Sequence, residues 1–346
     1  MRKLLILAVF IVFLCVPVTA EEYTAPEAPD SVQDLMPVER ETFWEGVLEI
    51  AGNAFRDLQP KLVAAVGVCG SLIGVVMLVC ITEVFVKQDK RVFAFISVVA
   101  VATLLLGNAQ TMIRLAGSTV NELSEYGKLL LPVMTGVLTA QGGAVTSAAL
   151  YAGTAAFDAL LSWGIASLLT PLVYMFLALT IVFAATGEQL IKRLCDAVKG
   201  FCSWSLKTVL YIFTGYISIT GVVSGATDAA TLKATKLTIS SMVPVVGGIL
   251  SDASEAVIVG AGVMKNAAGV YGMLALIALW ASPFLQIGMQ YLLLKATGTL
   301  CEVFGLKQIT GLISAFSTAM GLLLAMIGAV CVMLLISIVC FMRGVG

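Results

Sequence analysis

The 346-residue chain has no histidine, and only 12% of its residues are charged. The first absence removes the commonest general base, proton shuttle and metal ligand. The second excludes an ordinary soluble globule, in which about a quarter of residues carry charge. There is no Walker A phosphate loop and no Gly-x-Gly-x-x-Gly turn between a strand and a helix, so the chain encodes no recognisable nucleotide site. Its eight cysteines, Cys15, Cys69, Cys80, Cys195, Cys202, Cys301, Cys331 and Cys340, form no CxxC pair. Most fall inside apolar runs, where cysteine behaves as a small hydrophobe, and no zinc site can be completed without histidine. No catalytic residue, cofactor, metal or nucleic-acid partner is therefore expected, and the chain does not read as an enzyme.

What is abundant is apolar sequence: 60% of residues are hydrophobic and the mean hydropathy is +1.03. Runs of about 20 apolar residues are what a bilayer crossing requires, so the length is counted in crossings and the expected fold is an all-α polytopic transmembrane bundle. Charge is unevenly placed. Residues 21–60 hold ten acids against two bases, Arg40 and Arg56, whereas from residue 61 onward there are eleven acids against sixteen bases.

Arg2 and Lys3, an apolar run from Leu4 to Val16, Pro17 and the small exit Val18-Thr19-Ala20 make residues 1–20 a secretory signal peptide. An uncleaved anchor is the other reading of the same run. Either places residues 21–60 outside the cytoplasm. Residues 21–41, with prolines and acids and few large apolar side chains, are expected to be a solvated linker. From Thr42 to Leu58, Phe43, Trp44, Val47, Leu48, Ala51, Phe55 and Leu58 recur at helical spacing, an amphipathic helix that either lies at the headgroups or docks on a partner.

Residues 61–128 are expected to hold two spans and an interfacial helix. Lys61 and Lys87 bracket the first span, in which Gly70 and Gly74 form a GxxxG that would admit another helix. Glu83 and Lys87 make an i,i+4 pair. Lys87, Lys90 and Arg91 mark a cytoplasmic loop by the positive-inside rule, and Val92 to Ile113 returns outward. The polar stretch 114–128 then reads as an interfacial helix. Leu129 to Ala140, too short to cross, carries Pro132 and Gly136 and stops at Gln141-Gly142-Gly143, which reads as a re-entrant half-helix. Residues 144–187 are expected to hold two spans meeting near Thr170-Pro171. Lys192, Arg193, Lys199 and Lys207 read as a second cytoplasmic loop, which requires an odd number of crossings between 114 and 188. Further spans are expected near Leu206 to Ala226, Val257 to Val270, Tyr271 to Leu294 and Ser317 to Met342, giving about seven crossings.

The chain also echoes itself. Leu131-Pro132-Val133 through Thr139 reappears as Val243-Pro244-Val245-Val246-Gly247-Gly248 through Ser251, a shift of 112 positions that also carries Pro171 onto Pro283. There are twelve identities over positions 131–171, where roughly four would be expected from so biased a composition. This divides the membrane part into repeats at 129–230 and 231–346, each opening on a short segment interrupted by glycine and proline, as in transporters that bring backbone to mid-bilayer. Chance likeness of Ala-rich helices is the competing explanation. Asp158, within the apolar 144–187 stretch, is the clearest ionisable candidate, either lining a water-filled path or sitting at a turn. Asp252 and Glu255, which align with Ala140 and Gly143, are solvated end residues or ligands. Pathway candidates are thus Asp158, Asp252 and Glu255 with the backbone of Pro132, Gly136, Gly142, Gly143, Pro244, Gly247 and Gly248.

The signal peptide, the acidic stretch, Thr103-Leu104-Leu105-Leu106-Gly107-Asn108-Ala109, Leu131-Pro132-Val133 with Gly142-Gly143 and Thr146-Ser147-Ala148-Ala149-Leu150, and Val243-Pro244-Val245-Val246-Gly247-Gly248 with Leu250-Ser251-Asp252-Ala253-Ser254-Glu255 together resemble the stage III sporulation protein AE family. The resemblance implies a multispanning subunit of a channel- or secretion-like complex joining mother cell and forespore. Its place would be the mother-cell membrane surrounding the forespore, among other membrane proteins of the complex, and it is needed for forespore development. It brings no catalytic residues. Driven transport would need a separate cytoplasmic ATPase, touching the basic stretches Lys87–Arg91 and Lys192–Lys207. The alternative class is a stand-alone secondary transporter with its site between the repeats near Asp158, and a purely structural scaffold is a third.

Overall fold

The computed structural model describes residues 25–37, 43–85, 90–242 and 247–343, with backbone alone at positions 84, 90, 91 and 221–266. The expected signal peptide, Lys87 and Pro244 lie outside them. Among the described residues the chain is helical throughout. After a 3-10 turn, Asp30–Leu35, come α1 (Phe43–Phe85), α2 (Lys90–Ala140), α3 (Ala144–Gly164), a π-turn (Ile165–Leu169), α4 (Thr170–Thr186), α5 (Gln189–Met242), α6 (Gly247–Glu302) and α7 (Lys307–Arg343). Five stretches are long and apolar enough to cross a bilayer: Phe43–Glu83, Val92–Ala140, Ala144–Thr186, Ala267–Glu302 and Lys307–Arg343.

These helices merge elements that the residue pattern separates. The helix from Thr42 and the first span are one, since α1 runs through Pro60. The interfacial stretch 114–128 and the segment Leu129–Ala140 are the continuation of α2, so 129–140 is not re-entrant. Pro132 sits inside the helix, where it gives up one backbone hydrogen bond. Buried Leu130, Leu131, Met134 and Leu138 around it hold the helix to its neighbours. The chain reverses instead at Gly142, whose φ of 90° is left-handed. Gly142 N–H donates to Thr139 O at 2.9 Å and Gly143 N–H to Leu138 O at 3.1 Å, the double bond of a Schellman cap. Residues 144–186 likewise form one continuous crossing. Thr170-Pro171 does not turn the chain, because the π-turn just before it accommodates the proline without breaking the helix.

Two further corrections follow from α5 and α6. Lys192 to Lys207 is not a loop but the first half of α5. Val257–Val270 and Tyr271–Leu294 are not two spans, because both belong to α6. Of the copies related by the 112-residue shift, the first turns at 141–143, nine residues past Pro132, while residues 243–246 of the second lie outside the described residues. Gly247 and Gly248 open α6, and Asp252 and Glu255 lie in its first turns with side chains outside the described residues.

At about 1.5 Å per residue, helices of 37 to 56 residues are roughly 55–85 Å long, about twice the 30 Å of hydrocarbon. One end of the bundle gathers Val79 and Glu83 of α1, Phe93 and Ser97 of α2, Ala185 and Thr186 of α4 and the Gly305–Lys307 turn around a 620 Å³ cleft. Next to this end α1, α2 and α4 present apolar surface almost free of charge, with Leu62, Val66, Leu78, Phe95, Val99, Met175 and Val182 exposed. Such a surface is suited to lipid. The other half is separated from it by a polar girdle. α7 is the axis: Leu312, Phe316, Leu323, Ile327, Val330, Met333 and Phe341 are buried. It runs antiparallel to α6, with Ser317 Oγ donating to Tyr291 O at 3.1 Å.

Candidate functional site

The girdle is built from residues that cannot lie in hydrocarbon. On α1, Asp57 accepts from Lys61 Nζ at 2.7 Å, and Ser282 Oγ of α6 donates to the same carboxylate at 2.7 Å. A cleft of 470 Å³ there is lined by Ser31, Asn53, Arg56, Asp57, Lys61, Ser118 and Glu122 among others. The acidic stretch expected to be a solvated linker takes part. Ala28 and Val32 are buried, Ala28 N–H donates to Tyr271 Oη at 3.1 Å, and Tyr126 Oη donates to Pro26 O at 3.3 Å. Ser31 Oγ donates to Glu122 at 3.3 Å. Residues 26–32 are thus clipped between α2 and α6.

Below the clip lies Asp158. It is 3% exposed and accepts a hydrogen bond from Ser124 Oγ at 2.5 Å. Its other oxygen, Oδ1, has no hydrogen-bond partner among the described residues. One turn away on the same face of α3, Thr154 donates to Ser337 Oγ of α7 at 2.9 Å, and Ser337 donates onward to Met333 O. A carboxylate and three hydroxyls therefore meet where α2, α3 and α7 pack. Asp158 is mid-helix, not at a turn. Its partner Ser124 belongs to the polar 114–128 stretch, so the residue sits at girdle height, outside the most apolar layer. Chemically the cluster can hold a proton or one hydrogen-bond donor at Oδ1. No cluster of metal-ligating side chains occurs among the described residues.

The other candidates disperse. Pro132 and Gly136 lie within α2, Gly142 and Gly143 form its cap, and none of them lines a cavity with Asp158. Gly70 and Gly74 face open space, so the GxxxG admits no helix of this chain. Of the apolar stripe in 42–58 only Leu58 is buried, while Trp44, Leu48, Ala51 and Phe55 are exposed; the helix packs instead through Ile50 and Ala54, which lie outside that stripe. Residue patterns miss Ser124, Tyr126 and Tyr271, whose partners are 34, 100 and 243 positions away. The i,i+4 spacing of Asp57 and Lys61 is a readable signal.

These features define a multispanning helical membrane protein with a tall bundle and a buried polar cluster. Residues 37–344 match the family model of stage III sporulation protein AE, and the chain belongs to that family. It is similar to stage III sporulation protein AE of Bacillus subtilis (strain 168), with 23% identity over 278 residues, 78% of this chain and 70% of the relative. No solved structure matches it.

Proposed function

We propose that this chain is a membrane subunit of a channel- or secretion-like complex linking mother cell and forespore, in the mother-cell membrane surrounding the forespore. Family membership supports the sporulation role. The observation that carries the rest is the height of the bundle. A crossing needs about 20 helical residues, yet α2 has 51 and α6 has 56, so roughly half of each stands beyond the bilayer, available to other proteins. Trp44, Leu48 and Phe55 are exposed on that outer half. Lys90, Arg91, Lys192, Arg193 and Lys307 lie toward the opposite end, which supports a cytoplasmic setting for that end with the mature N-terminus outside. Partners are then other membrane proteins of the complex and a separate ATPase at the basic end. The role is conduction or scaffolding, without catalysis of its own.

A second reading, a stand-alone secondary transporter, is favoured by the unpaired Oδ1 of Asp158. Affinity purification of the tagged protein in mild detergent from sporulating cells, followed by mass spectrometry, separates the two. Recovery with other sporulation membrane proteins and a cytoplasmic ATPase supports the complex. Recovery as a lone monodisperse species contradicts it.

A further inference from the structure

The first half of α5 does not match the layer it stands in. Thr180 Oγ1 of α4 and Cys195 Sγ of α5 lie 3.8 Å apart, so the two antiparallel helices run side by side from the end of the bundle at Gly187. Thr170–Thr186 contains no charged residue. At the same depth α5 carries Lys192, Arg193, Asp196, Lys199 and Lys207, all exposed. From Gln189, Lys199 is about 15 Å into the layer and Lys207 about 27 Å. Lysine snorkelling from the cytoplasmic end accounts for Lys192 but not for a cation at mid-depth.

The spacing sorts α5 into three sides. Cys195, Val198, Cys202, Leu206 and Phe213 are buried against the bundle. Leu190, Leu194, Phe201 and Trp204 are exposed and suit lipid. Lys192, Asp196, Lys199, Ser203 and Lys207, at i, i+4, i+7, i+11 and i+15, form the third side, flanked by Arg193. The only ion pair among the described residues is that of Lys61 with Asp57, so Asp196 neutralises none of these cations. Neither core nor lipid accommodates this side. Charged side chains at membrane depth face water or a paired partner.

We propose that this face of α5 lines an aqueous path through the membrane that favours small anions, its opposite wall supplied by a neighbouring subunit. The proposal rests on the reading of the chain as a subunit of a channel complex, and names the solute class such a channel would prefer. Four cations against one acid along about 22 Å of helix raise the local concentration of anions over cations. A dry contact would instead require an acidic partner face packed against the lysines.

The test places a thiol on the stripe without removing a charge. Ser203→Cys is made in the full chain, and opened membranes isolated from sporulating cells, both faces of which meet the reagent, are labelled with the native cysteines retained and the parent chain as background. Cys195 and Cys202 are buried. Anionic and cationic methanethiosulfonates are compared, each rate normalised to that with a free thiol. The expected result is reaction of the introduced thiol at position 203 with the anionic reagent favoured at least about threefold. That preference should be lost when Lys199→Glu is added, and Phe201→Cys, on the lipid side, should remain unreactive. A thiol at position 203 that reacts with neither reagent while partners co-purify overturns the path and leaves the complex standing. Anion-selective labelling without recovered partners keeps the path and removes the complex. Equal rates for both reagents overturn the charge preference.

Discussion

Gly153 of α3 lies against the ring of Tyr216 of α5 so closely that a Cβ built on it would overlap Cε1 and stand 2.6 Å from Cζ and 2.9 Å from Cδ1. Ordinary carbon contacts are about 3.5 Å or more, so Gly153→Ala requires the ring to retreat by roughly 1 Å or more. A tyrosine ring cannot bend away as a long aliphatic chain does. Its hydroxyl is also tied to Ala149 O at 2.9 Å, and its ring meets that of Phe157 at 5.9 Å between centroids. Overpacking of this kind costs about 1–3 kcal/mol, and losing the hydrogen bond costs about 0.5–1.5 kcal/mol. Alanine's better helix propensity returns about 1 kcal/mol, leaving a net loss of about 1–3 kcal/mol. Heating the detergent-solubilised protein and following the fraction that stays monodisperse reads the effect as a lowered midpoint. Gly107→Ala, where a Cβ meets nothing within 4 Å, should leave the midpoint unchanged or raise it. Adding Tyr216→Leu to Gly153→Ala should recover part of the loss. Equal midpoints for Gly153→Ala and Gly107→Ala would refute the packing of α3 on α5.

Three further outcomes follow from the same geometry. Asp158→Asn keeps an acceptor for Ser124 and should cost under about 1 kcal/mol, whereas Asp158→Leu strands that hydroxyl and should cost about 1–3 kcal/mol; equal midpoints in the heating assay would contradict the hydrogen bond. Gly142→Ala forces a Cβ into the left-handed region at the Schellman cap and should lower the midpoint by about 1–2 kcal/mol of stability, and an unchanged midpoint would mean the reversal lies elsewhere. Tyr126→Phe with Tyr271→Phe removes two of the three hydrogen bonds that hold residues 26–32, at about 0.5–1.5 kcal/mol each, and should speed proteolytic cleavage within that segment in solubilised protein while the bundle stays intact.

The helices themselves are legible in the sequence, because apolar runs with few strand-forming alternations have little else to become. Their ends are not. Pro132 reads locally as an interruption, yet Leu131 and Met134 are buried beside it and packing outweighs the lost bond. Gly142, the true stop, is visible only as the far end of a segment that reads as turning back. Thr170-Pro171 reads as a turn because the π-turn ahead of it has no residue signature. The polar stretch 114–128 is recognisably unsuited to hydrocarbon, but whether it leaves the helix or continues it depends on what surrounds it. Asp158 stands out as an ionisable residue in apolar surroundings. Its height does not, since that is set by Ser124, which looks like any other serine. The basic residues 192–207 fall in a loop by the positive-inside rule, which counts charges without knowing that a helix carries them.

The position of the bilayer underlies both the complex and the path along α5, and cysteine accessibility measures it directly. In a chain lacking native thiols, single cysteines replace Asn121 in the girdle, Thr103 in the apolar half of α2 and Gln308 at the basic end, and intact non-sporulating cells expressing the chain, where its outer face meets the medium, are treated with an impermeant maleimide. The account predicts labelling at position 121, none at 103 even after lysis, and labelling at 308 only after lysis. Labelling of 308 in intact cells with 121 protected would invert the orientation, and labelling of 103 would remove that half of the bundle from the membrane.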